Sequence, residues 1–414
     1  MGLIAEMHST PILIVPPEPN LSAAAIVERA RSLMPYLRSK SAEIEQRRSL
    51  PPEVDERLRE AGLYRMLQPR RTGGYEFDLE TFVDAMLEIY RGDGSAGWVT
   101  CFITAHILWV CALSEVAQRE IFGTDGDVRT IVPAAPTGKA RMVDGGYRIS
   151  GRWDYCSGMS VGNWFIALAA IEQTETQMQP QIIMFATKCA NVTTEDNWHV
   201  LGLKGTGSIT CAVTDLFVPE AFTASFPAMM FEFKAPGYGT YENPFYRAPL
   251  VPVLWIQLAI AMVGMTRGLI DIFARDVSTK ASSYPPFGPL NEDKKVQIAL
   301  GHAIADHHVA RAALGQMSNN HSRRIILVAQ GNKPEWADVQ ADHILVCKIA
   351  RLCVDAADRL FQLAGSSIPI RSDSQFQRFY RDIKVASTHR GLGMERAAEN
   401  AGMMAFGLEP ATRN

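Results

Sequence analysis

The hydrophobic period of this chain changes twice, and that limits its fold more than any other feature. From Leu21 to about Gln118 apolar residues recur at helical spacing: Ile26, Ala30, Leu33 and Leu37, then Val54, Leu58 and Ala61, then Phe82, Met86 and Ile89. From about Asp127 short β-branched or aromatic runs take over, among them VRTIVPA, YRIS, NWFIALAAI, QIIMFAT and ITCAVTDLFV, separated by turn residues. Asp144-Gly145-Gly146 reads as a hairpin turn between two of these runs. Helical patterns resume at Leu250 and cover 250–280, 291–330 and 336–364, with Gly331-Asn332 and Gly365-Ser366 as stops. The result is an α+β chain divided at 1–124, 125–222 and 223–414. The last unit begins with a stretch, Phe226 to Arg247, that is rich in Pro, Gly and aromatic residues and too long for a simple connection. It reads as a lid or as one wall of a binding site.

A chain of 414 residues supports two or three packed units. Its net charge of -3, with both signs mixed throughout, leaves no basic stripe to neutralise a row of phosphates, which excludes nucleic acid as a partner. The seven cysteines are scattered and never spaced as CxxC, so neither a disulfide framework nor a structural zinc site is expected. That usage fits a reducing cytoplasm. The opening MGLIAEMHSTPILIV lacks the basic and apolar regions of an export signal. Leu250 to Met265 is the longest uncharged apolar stretch; it falls short of the roughly 20 residues that span a bilayer and contains Gln257, so it reads as a buried helix rather than a membrane anchor.

Several classes of chemistry lose support at once. In LGLKGTGS the glycines do not make GxGxxG and they precede a strand, so no dinucleotide fold is indicated. No GxSxG elbow supports a hydrolase. His302, Asp306, His307 and His308 do not share one helix face, so a packed or solvated helix is expected there and no metal. Arg381 and Asp382 read as a structural helix pair. On residues alone WDYCSG is an aromatic strand ending in a turn, and His106, on the apolar face of CFITAHILWV, is a satisfied core histidine.

Three motifs change those readings: GRWDYCSG at 151–158, LGLKGTGSITCAVTDLFVPE at 201–220 and FQLAGSSIPIRSDSQFQRFYRDIK at 361–384. With EAGLYRML and GGYE nearer the start, they resemble the acyl-CoA dehydrogenase family over nearly the whole chain. The resemblance implies an N-terminal α-helical domain, a middle β-barrel-like domain and a C-terminal four-helix bundle. Where dehydrogenases of this family carry a Tyr-Glu-Gly-Thr run with its catalytic glutamate, this chain reads Thr388-His389-Arg390. That histidine, together with His106, is similar to the two-component hydroxylases of the superfamily that act on p-hydroxyphenylacetate and on a steroid-derived phenol.

Several expectations follow from the resemblance. The chain is a flavin-dependent monooxygenase hydroxylating a small aromatic substrate through a flavin C4a-hydroperoxide, with oxygen as cosubstrate. A separate flavin reductase supplies reduced FMN, or FADH2. FMN is favoured because Tyr284 stands where an arginine contacts the pyrophosphate in FAD-holding relatives. Ser157 sits at flavin N5, with Trp153 and Tyr155 as the wall beside the ring. Gly205, Thr206 and Ser208 supply backbone and hydroxyl contacts, and Gly365 and Ser366 reach a neighbouring subunit's flavin in a homotetramer. His106 and His389 hold or accept the substrate's proton; which of them is the base stays open. The alternatives are N- or S-oxygenation on the same scaffold, acyl-CoA dehydrogenation, and a silent flavin-binding subunit.

Overall fold

The computed structural model describes residues 13–172, 181–282, 285, 287–365 and 371–408. Tyr284 and Ser366 lie outside the described residues.

Among the described residues five helices come first: α1 (Ala23–Arg47), α2 (Pro52–Glu60), α3 (Leu79–Gly92), α4 (Gly94–Cys111) and α5 (Glu115–Phe122). Their starts follow local chemistry. Ser22 caps α1, Pro52 opens α2 with its φ already helical, and Asp78 and Asp93 accept backbone N–H groups at the starts of α3 and α4. Almost every residue of α4 is buried, so it is the central column of the molecule.

Eight strands follow: β1 (Thr130–Ile131), β2 (Gly138–Val143), β3 (Gly146–Cys156), β4 (Trp164–Ile171), β5 (Ile182–Lys188), β6 (Thr193–Glu195), β7 (Ile209–Pro219) and β8 (Thr223–Ser225). They form one sheet in the order β6-β7-β3-β2-β4-β5-β8, with β1 added beside β4; among the described strands this path ends at β6 and β8 without closing. The β2–β3 hairpin turns at Asp144-Gly145, where Gly145 has φ 78°. On the opposite side of β3, register shifts against β7 mark bulges, one of them between Trp153 and Cys156.

Helices then return: α6 (Phe226–Phe231), α7 (Leu250–Ser278), α8 (Lys294–Ala329), α9 (Trp336–Leu363), α10 (Gln375–Ala386) and α11 (Met394–Ala405). The stretch from Leu250 is a 29-residue helix, close to the 250–280 expected from its periodicity. By length and composition both it and α4 could cross a membrane, yet their most apolar windows are 83% and 94% buried inside the protein. Helices α7 to α10 pack on one another, and α7 also packs on α3 and α4, so the two helical regions share one core.

Residues 226–247 are tied to the N-terminal helical region. Gly237 N–H donates to Ala112 O, Tyr246 Oη to Leu67 O at 3.1 Å, and Asn243 Nδ2 to Glu76 Oε1 at 2.9 Å. Tyr241 is likewise bonded to Gln118.

Candidate active site

Helix α4 carries a row of rings on one face. Trp98, Phe102 and His106 are spaced by four residues, which places them one above another on a helix. Trp98 and Phe102 stack with centroids 4.5 Å apart, and Phe102 meets the His106 ring edge-on at 5.9 Å. At the other end Trp98 lies 6.2 Å from the ring of His389, which begins the turn after α10. The structure thus connects the two histidines, 283 positions apart in sequence, through two aromatic rings.

Hydrogen-bond partners assign different tautomers to these histidines. His106 Nδ1 faces the backbone oxygen of Thr130 at 2.9 Å; a carbonyl only accepts, so Nδ1 carries the proton and Nε2 keeps a lone pair. Burial lowers the His106 pKa to about 4, which the Thr130 bond only partly offsets, and the ring is neutral at pH 7. His389 is the reverse. Its Nδ1 accepts the Gly391 N–H at 3.1 Å, so in the neutral ring Nε2 carries the proton. The His389 ring is open to solvent but closely surrounded by protein, and the resulting desolvation lowers its pKa.

A second cluster sits where β3 ends and β7 begins. Half-buried Ser157 has its Oγ 2.6 Å from Ser208 Oγ, Ser208 Oγ is 2.6 Å from Thr206 Oγ1, and Thr206 Oγ1 donates to Leu203 O at 2.8 Å. Gly158 N–H donates to Thr206 O at 2.9 Å and binds the two segments together. Thr206 and Ser208 are buried. Tyr155 projects outward, 72% exposed with φ 64°, and meets Trp198 edge-on at 6.1 Å. Beside this segment lies an open hollow of about 510 Å³ lined by Arg47, Arg48, Ser49, Met159, Trp198 and Gly207, among others.

Two sequence expectations are corrected by these positions, those for Trp153 and for the Arg381–Asp382 pair. Trp153 is fully buried in the sheet core against Phe165 and Phe185, with its Nε1–H donated to Leu168 O at 3.0 Å, so it forms no wall of an open site. Gly205 packs closely against helices: a Cβ there would lie 2.2 Å from Ile44 Cγ2 and 2.9 Å from Ser95 Cβ. Gly365 follows α9 in a left-handed conformation, φ 69°, with open space where a Cβ would stand. Arg381 and Asp382 do not pair with each other. Arg381 reaches Glu45 and Leu201 O, while Asp382 Oδ1 accepts the Leu203 N–H at 2.5 Å. Burial, and then the neighbouring buried Asp93, push the Asp382 carboxyl up to about 7.

Other residues escaped the sequence reading. Trp255 stacks on His343 at 4.8 Å, beside the His389 turn. Trp109 Nε1 on α4, and Thr130 Oγ1 and Gln257 Oε1 on elements that touch it, are buried without a protein partner. Unpartnered buried polar atoms are costly and call for a ligand or water. Nothing local in the sequence marks them, because tertiary packing is what isolates them. Among the described residues no group of three or more His, Cys, Asp or Glu is arranged to hold a metal ion, and Asp306 pairs with Arg359 at 2.7 Å.

Comparison with known proteins bears on the chain as a whole. Residues 256–393 match the family model described as "Acyl-CoA dehydrogenase, C-terminal domain". The oxygenase subunit HsaA of a flavin-dependent monooxygenase from Rhodococcus jostii (strain RHA1) is 30% identical over 383 residues, 92% of this chain and 98% of that protein. The oxygenase component of p-hydroxyphenylacetate 3-hydroxylase from Acinetobacter baumannii is 24% identical over 395 residues, covering 95% of this chain and 91% of that one. Among solved structures, 3-HSA hydroxylase from Rhodococcus sp. RHA1 superposes with a TM-score of 0.84 at 28% identity, over 93% of this chain and 97% of that one. On this full-length likeness, joined to the helix–sheet–helix architecture, the chain belongs to the oxygenase subunits of the flavin-dependent monooxygenases, built on the acyl-CoA dehydrogenase-like fold.

Proposed function

We propose that this oxygenase component hydroxylates a phenol, using reduced flavin delivered by a separate reductase. The observation that carries the proposal is the pair of opposite tautomers, His106 offering a lone pair and His389 a proton, joined by Phe102 and Trp98.

The residues fit a flavin. Ser157 offers a half-buried hydroxyl, Tyr155 and Trp198 are aromatic faces beside it, and Arg47 lines the adjoining hollow with a positive charge suited to a phosphate, while Arg48 there is paired with Asp196 at 2.6 Å. Reduced flavin, when bound, supplies the two electrons with which dioxygen is split, one atom entering the substrate and the other leaving as water. Ser157 would hold the N5 proton, and buried α4 with the segment 226–247 as a wall would exclude water. FMN and FADH2 both satisfy this arrangement, with reduced FMN the form proposed; a homotetramer would close the open side of the hollow.

A phenol has a pKa of about 10, so a histidine near 4 does not ionise it beforehand. Instead Nε2 of His106 accepts a hydrogen bond from the hydroxyl and orients the ring. As the ring gives up electron density to oxygen the hydroxyl becomes strongly acidic, and a weak base then suffices to take the proton. A tertiary amine or thioether substrate would leave that lone pair without a donor, which favours C-hydroxylation over N- or S-oxygenation. His389 Nε2–H would donate to developing negative charge on oxygen.

The test mixes protein and reduced FMN anaerobically with aerated buffer, then repeats this with a panel of phenols, amines and thioethers and product mass analysis. Reoxidation in two resolved phases, with a mass gain of one oxygen on a phenol only, is expected. Single-phase reoxidation identical to free flavin would overturn the oxygenase reading, and oxygenation confined to an amine or thioether would overturn the substrate class.

A further inference from the structure

The hydroxyl chain behind Ser157 runs in one direction. Leu203 O can only accept, so the single proton of Thr206 Oγ1 goes there, at 2.8 Å. Ser208, 2.6 Å from Thr206 Oγ1, must then donate to it, and Ser157, 2.6 Å from Ser208 Oγ, must donate to Ser208. Each hydroxyl has one proton, and each proton is committed. What Ser157 presents outward is a pair of lone pairs.

The geometry points to a redox selector: the chain Ser157–Ser208–Thr206–Leu203 makes Ser157 an obligate acceptor at flavin N5, so the site favours reduced flavin, whose N5 carries a hydrogen, over oxidised flavin, whose N5 carries a lone pair. This inference rests on the proposed placement of flavin N5 at Ser157. Ser208 and Thr206 are positioning residues, and Asp382 is the anchor of the chain. Leu203 is held at φ 54°, a strained conformation for a leucine, and its neighbours fix it there. Its N–H goes to Asp382 Oδ1 at 2.5 Å, and its oxygen accepts Trp198 Nε1–H at 3.1 Å as well as Thr206. The preceding Gly202 presses on α10 so closely that a Cβ would lie 2.4 Å from Arg381 O. A carbonyl pinned on both sides cannot turn away, and the direction of the whole chain depends on it.

The experiment is a pair of titrations, oxidised FMN in air and reduced FMN under anaerobic conditions, on wild type and three variants. Thr206→Val removes the terminal acceptor with little change of shape, Ser208→Ala frees the Ser157 proton, and Thr206→Ser keeps the chain. The ratio of Kd for oxidised to reduced FMN should fall about tenfold in Thr206→Val and Ser208→Ala, the worth of one hydrogen bond, and stay near wild type in Thr206→Ser. A merely structural role would weaken both forms together and leave the ratio unchanged; that result in either removal variant overturns the inference. Should Thr206→Val fail to fold, Ser208→Ala carries the same comparison. Wild type that binds neither flavin form would instead overturn the flavin placement itself, a distinct outcome.

Discussion

Replacing His106 by Asn tests the proton assignment most directly. In the wild type the ring is buried and its one hydrogen-bonded nitrogen donates to Thr130 O, so protonation must occur at Nε2 in a desolvated space. The fall from an ordinary 6.5 to about 4 corresponds to about 3.4 kcal/mol against the charged form. At pH 7 only about one ring in a thousand is protonated. The acid limb of kcat/KM for a phenolic substrate should therefore lie near pH 4, well below that of an exposed histidine. Asn can accept a hydrogen bond but cannot take the proton, so His106→Asn should lower kcat/KM by about 10² to 10⁴ and abolish the limb. The Kd for reduced FMN should stay within about twofold of wild type. The assay is product formation in brief pH jumps between pH 3.5 and 8. A limb near 6.5, a limb that persists in the variant, or an equal loss of flavin affinity would each refute the assignment.

Acid should also unfold this protein early. His106, His307 and His321 are buried and have pKa values lowered to about 4, 4 and 3, chiefly by desolvation. Their folded values lie below the unfolded 6.5, so the unfolded chain binds more protons and stability is lost as pH falls from about 6.5 toward 4. Each should contribute about 2 kcal/mol of loss between pH 7 and pH 5, measured by urea midpoints at the two pH values; equal midpoints would show that the rings are solvated. Trp153→Phe, which orphans the Leu168 carbonyl and leaves a gap beside Phe165 and Phe185, should cost about 3 kcal/mol of stability with flavin affinity unchanged. A selective loss of flavin affinity would restore Trp153 to the site.

Helix and strand regions were legible because each is long and keeps one period; the β2–β3 hairpin followed from Asp144-Gly145-Gly146. The site was legible only where a motif is contiguous. Ser157 came from WDYCSG, and Thr206 and Ser208 from LGLKGTGS, and the fold brings those three together. Trp153 misled because residues two apart on a regular strand share a face. The bulge between Trp153 and Cys156 and the positive φ of Tyr155 break that rule, leaving Trp153 inside and Tyr155 outside. Asp382 was read as the partner of its neighbour because its real partner, the Leu203 N–H, is 179 residues away. Trp98 and Phe102 look like ordinary core residues of an apolar helix until the His389 turn arrives beside them.

The span between Leu203 and Asp382 also bears on how the molecule is made. A chain emerging from the ribosome completes β3, and the turn after it that carries Ser157, long before helix α10, so the Leu203 turn beneath the hydroxyls meets the carboxylate that pegs it only after 179 further residues have been made. The hydroxyl array is thus set by a long-range contact that forms late in synthesis.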